Sequence, residues 1–148
     1  MIKAGGYADA GEFALHDWTP VIGTGVTSMG VGTTATGWYQ NLSGIVTAHF
    51  YVLFAGSPAF ASTIALDLPV AADADGIQAS FGSWVFRDNS AVQHYAGTLA
   101  VWSGGATSVS FSGAWDGTAP RSRVTNGTPF TVAAGDILSG NLSYRAAA

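Results

Sequence analysis

The chain has 148 residues, nine acidic and five basic, for a formal net charge of −4, and no cysteine. That length suits one domain. The absence of cysteine excludes a disulfide framework, a thiolate metal site and a cysteine nucleophile, and the scattered basic residues give no footprint for nucleic acid. Charged residues make up 9%, against about 25% in typical soluble domains, which suits a protein packed against copies of itself or against a larger particle.

Residues 1–17 show neither a clean helical nor a clean strand period. Residues 8–16 favour a turn or two of helix, against Gly5, Gly6 and Gly11. The segment reads either as a frayed terminus or as an anchoring arm that docks through Ile2, Tyr7, Phe13 and Leu15. The β domain then runs over residues 18–148. Trp18 to Ile22 leads into the first strand, residues 23–32 form a Gly/Thr/Ser loop, and 33–39 form a strand. Asn41-Leu42-Ser43-Gly44 supplies a turn, and 45–54 is the longest strand-like run in the chain.

That run organises the rest. Alternation puts Val46, Ala48, Phe50, Val52 and Phe54 on one apolar face, which is core. Ile45, Thr47, His49, Tyr51 and Leu53 share the other face. It carries no Lys, Glu or Gln, so a second sheet or a second subunit is expected to cover it.

Further strands are expected at 63–68, 77–87, 91–102 and 106–115. Residues 116–127 read as a polar loop, and 129–132 with 137–144 as a last pair. Turn signals every 8–12 residues and twenty glycines predict an all-β fold, an antiparallel β-sandwich that is jelly-roll-like, with a short N-terminal arm.

No constellation for catalysis emerges, and an enzyme is not expected. The carboxylates form no recognisable facing pair, and His16, His49 and His94 are too widely spaced for a zinc site. Asp73-x-Asp75-Gly76 lacks the remaining ligands of a calcium loop, so no cofactor or metal is expected. The aromatic residues Trp84, Trp102 and Trp115, beside Arg121 and Arg123, suggest a face that stacks on sugar rings. The alternative is that these tryptophans fill the core or a subunit seam. No run is apolar for about 18 residues, so no membrane insertion is expected, and no signal peptide is evident.

Three blocks carry a resemblance. They are Gly37-Trp38-Tyr39 with Ser43-Gly44-Ile45-Val46, the run Leu66-Asp67-Leu68-Pro69-Val70-Ala71-Ala72, and Asn126-Gly127-Thr128-Pro129-Phe130 through Gly135-Asp136 to Gly140-Asn141-Leu142-Ser143-Tyr144. Over roughly residues 18–146 the chain resembles the C-terminal β domain of minor tail and fibre-tip proteins of phages infecting actinobacteria. The resemblance implies a non-enzymatic virion protein on the particle exterior, at a tail tip, fibre or capsid surface. It also implies a homotrimer bound to other virion proteins, made in the host cytoplasm and in reach of a host surface glycan. A stand-alone carbohydrate-binding module is the alternative from another class.

Overall fold

The computed structural model describes residues 14–73, 79–101, 107–113 and 122–147. The central hairpin pairs β3 (Thr34–Leu42) with β4 (Ile45–Leu53) around a tight turn, with Ser43 at φ 49° and Gly44 at φ 83°. Asn41 accepts a hydrogen bond from the Gly44 N–H through its side-chain oxygen at 3.1 Å, the local closure that Asn favours in turns. The strands therefore reach further into the turn than sequence spacing suggests.

Around the hairpin lie β1 (His16–Trp18), β2 (Ile22–Ser28), β5 (Ala59–Asp67), β6 (Ala79–Asp88), β7 (Gln93–Val101), β8 (Ser108–Gly113), β9 (Ser122–Arg123) and β10 (Ile137–Arg145). The order is β1-β3-β4-β10-β6-β7-β8-β5-β2, with β9 on β8, and neighbours run antiparallel. The last strand thus enters between two earlier ones and closes the middle of the sheet.

The sheet curls over on itself. Phe50 on β4 meets Phe111 on β8 edge-on at 6.1 Å, and Phe54 meets Phe60 on β5 at 5.8 Å. Val46, Ala48, Phe50, Val52 and Phe54 are all buried, so the inward face of β4 is the one the alternation predicts. Opposite them stand Ile64, Leu66, Val109 and Phe111. This is an all-β, sandwich-like fold whose two layers belong to one continuous antiparallel sheet.

Several boundaries differ from the sequence reading. Much of the Gly/Thr/Ser stretch expected as a loop is β2, paired to β5 through three register shifts. Gly25 has φ +77°, and a side chain there would run into the Thr63 carbonyl; the glycine lets a bulged strand lie close against its neighbour. The expected final hairpin does not form. Residues 129–132 are outside any strand, and β10 pairs with β4 and β6 instead. Proline at 129 has no N–H to give to a ladder. Within the polar loop, Ser122–Arg123 adds a short strand to β8. The first strand begins at His16, inside the segment read as an arm, because β3 offers it a pairing edge at Gly37, Trp38 and Tyr39.

Candidate interaction surface

Strand pairing assembles one broad outer face. Opposed residues on neighbouring strands point to the same side of a sheet. One row therefore runs Asp17, Trp38, His49, Asn141, Ser83 and Thr98. The next holds Thr36, Tyr51, Ser139, Val85 and Ala96, and a third holds Thr34, Leu53, Ile137, Arg87 and His94. Among the described residues, the charged groups of this face stand at its margins. Asp17 lies on the edge strand, Arg87 near one strand end, and Arg145 at the far end of β10.

Large apolar groups concentrate here. Trp38, Leu42, Ile45 and Val85 are between 39% and 49% exposed. The Trp38 indole stacks on the His49 ring with centroids 6.0 Å apart and planes at 14°. Among the described residues, no further layer covers the face.

Ile45, Thr47, His49, Tyr51 and Leu53, the set expected on an interface, all lie on this side, exposed or half-buried. Ile2, Tyr7 and Phe13 of the expected arm lie outside the described residues, and Leu15 is exposed. Trp102, Trp115 and Arg121 also lie outside them. Arg123 is exposed on β9.

Trp84 is a correction. It is only 1% exposed, and its indole N–H is shared between the Thr98 carbonyl at 3.1 Å and the Ser112 carbonyl at 3.2 Å. Gly97 lies directly opposite on β7, and a side chain there would sit 2.8 Å from the Trp84 ring. The indole occupies that space, so no sugar ring can stack on it. It belongs to the core.

Two shallow clefts lie at the margin where β1 leaves β3. One, of about 380 Å³, is lined by Asp17, Trp18, Thr19, Ala35, Thr36 and Gly37. The second, of about 240 Å³, lies beyond it and includes Pro20, Ile22, Met29 and Ala35. Neither brings together an acid–base pair. No group of three or more His, Asp or Glu able to hold a metal is found among the described residues.

The turn carboxylates are engaged in backbone closure. Asp136, 1% exposed, accepts the Asn89 N–H at 2.9 Å and the Ala133 N–H at 2.7 Å. Asp88 accepts the Ser90 hydroxyl at 2.7 Å and the Ala91 N–H at 3.0 Å. These bonds, the Ser90 hydroxyl foremost, hold the Asp88 carboxyl below its ordinary pKa.

Asp17, Trp38, Val85 and Arg87 escaped the sequence reading as members of this surface. Trp38 could have been placed by pairing it across the hairpin with His49. The other three depend on β1 and β6 joining the sheet through non-local contacts. No protein-family model matches the chain, and no curated protein or solved structure matches it.

Proposed function

We propose that this chain is a non-enzymatic structural protein of a phage particle, carried on the exterior at a tail tip, fibre or capsid surface. It assembles as a closed homo-oligomer through the outer face of β3, β4, β10 and β6. The observation that carries the assembly is that face itself, wide, weakly charged and studded with half-exposed Trp38, Ile45, Leu53 and Val85. Apolar surface of this kind is stabilised by removal from water. The place in a virion rests on the motif resemblance alone. The N-terminal arm, read from the sequence as residues 1–17, anchors the chain to neighbouring virion proteins, and the remaining loops face the host surface.

Immunogold labelling tests the placement. Label is expected on the exterior of particles from a host carrying the gene. Protein confined to the particle-free supernatant would contradict it.

One observation favours the carbohydrate-binding module as a second reading. Half-exposed Trp38 adjoins the cleft that carries Asp17, Thr19 and Thr36, and an aromatic face beside a carboxylate and hydroxyls suits a sugar ring. A monomer that binds glycans, and loses them on Trp38→Ala, would support it over the assembly.

A further inference from the structure

We propose that the outer face is covered by a second copy of this chain about a two-fold axis passing close to Tyr51, with Asp17 of each copy paired to Arg87 of the other. The inference rests on the reading that this face self-associates, and it adds symmetry, register and partner residues. A face that meets itself is an isologous contact, in which residue i touches j and j touches i. That symmetry gives two copies, in place of the three that the motif resemblance implies.

The charged margins are complementary. Asp17 is exposed, and neither it nor Arg87 has an ion-pair partner among the described residues. Arg87 is half-buried, and a carboxylate is the best-fitting acceptor for the accessible part of its guanidinium.

Register supplies the geometry. Asp17 lies in the row of Trp38, His49, Asn141 and Ser83. Reaching Arg87 takes four strand steps, about 19 Å, and four residues along β6, about 13 Å. Tyr51 stands half-way on both counts. It is two strand steps from Asp17 and two residues along β4 from His49.

On flat-lattice spacings, an axis lying in the interface through Tyr51, perpendicular to the line from Asp17 to Arg87, brings each charge over its opposite. The same operation brings Trp38 to within about 3 Å of the position facing Val85, on ~4.8 Å strand spacing and ~3.3 Å rise. These two residues are each 39% exposed. One axis thus pairs both the unpartnered charges and two of the exposed apolar groups.

From β1 to β7 the face spans five strand steps, about 24 Å, and eight residues along β4, about 26 Å. With β1 contributing three residues, that is at most roughly 600 Å² per copy, at the lower bound for a specific interface. The chain's net charge of −4 repels a second copy at long range, and the Asp17–Arg87 exchange offsets that repulsion at the contact.

The test is a charge exchange on the full chain, read by sedimentation equilibrium. Wild type is expected to dimerise at micromolar concentration. Asp17→Arg alone or Arg87→Asp alone should weaken dimerisation at least tenfold, and the double exchange should return it to within about threefold of wild type. Circular dichroism checks that each variant folds. If Arg87→Asp does not fold, Asp17→Asn with Arg87→Gln completes the cycle, and the double variant should be no weaker than either single one. A wild-type dimer whose single-variant losses simply add would overturn the pairing while leaving self-association intact. A trimer would overturn the two-fold axis. A monomer at all concentrations would overturn both this inference and the assembly reading.

Discussion

The Tyr144 hydroxyl donates a hydrogen bond to the Val70 carbonyl at 2.7 Å, tying the last strand to the segment after β5. Nearby, Ala72 bridges Ala146, the Ala147 N–H donates to the Ala71 carbonyl at 2.8 Å, and Arg145 meets Asp73 at 2.9 Å. The segment after β5 and the end of the last strand are therefore in contact. Their chemistry is that of a clasp, joining residues far apart in sequence.

That clasp makes a pH prediction. Burial pushes the Tyr144 phenol up to about 12 from 10.0. A folded pKa above the unfolded one contributes stability that is complete below pH 10 and lost as pH rises toward 12. Urea midpoints from pH 8 to 12 should fall in wild type and fall less in Tyr144→Phe. Parallel curves would refute the role of the phenol.

On the acid side the sign reverses. The Asp88 carboxyl is held low by the Ser90 hydroxyl and the Ala91 N–H, so its contribution is present above the unfolded carboxyl pKa and disappears as pH falls through the folded one. Asp88→Asn should be less stable than wild type at pH 7, and the two should converge by pH 2. A constant gap across that range would show that titration of Asp88 does not matter.

Asp136 joins three stretches. It accepts from Asn89 and Ala133, while its own carbonyl accepts the Phe54 N–H at 3.0 Å. Asp136→Ala leaves two backbone N–H groups without their acceptor, at about 1–3 kcal/mol each. Denaturant titration should show a loss in that range or beyond, and a change under about 0.5 kcal/mol, the size of an ordinary surface substitution, would contradict the assignment.

Trp84 and Gly97 should fail together. Gly97→Ala places a methyl group against the indole and the Ser112 carbonyl, and overpacking of this kind costs about 1–3 kcal/mol. Trp84→Ala removes the indole and should cost about 3–5 kcal/mol. If glycan binding fell in a Trp84 variant of unchanged stability, the residue would have a recognition role that its burial denies.

Much of this architecture could be read in the chain. The inward face of β4 followed from strict alternation, and Ser43-Gly44 marked its turn. Trp84 did not separate core from surface on its own, because alternation along β6 fixes two faces without saying which is inside. Leu138 and Leu142 of β10, paired across to β4 and β6, decide that. The outer surface was legible only as its β4 stripe. Asp17 joins it through Trp38 on β3 and Arg87 through Ile137 on β10, non-local pairings that local periodicity does not encode. Bulges likewise hid β2, since its glycines carry loop composition into a strand.

The two faces of β4 make the central claim measurable. Phe50 is fully buried and Tyr51 beside it half-buried on the outer face. Phe50→Ala should cost about 3–5 kcal/mol through a core cavity, whereas Tyr51→Arg should leave thermal unfolding of the protomer nearly unchanged. Sedimentation velocity at micromolar concentration is the direct measurement. Wild type should sediment as an assembly of the 15.1 kDa chain, and Tyr51→Arg as a monomer. Wild type sedimenting at 15.1 kDa throughout, or a Tyr51→Arg variant that remains fully assembled, would contradict the account.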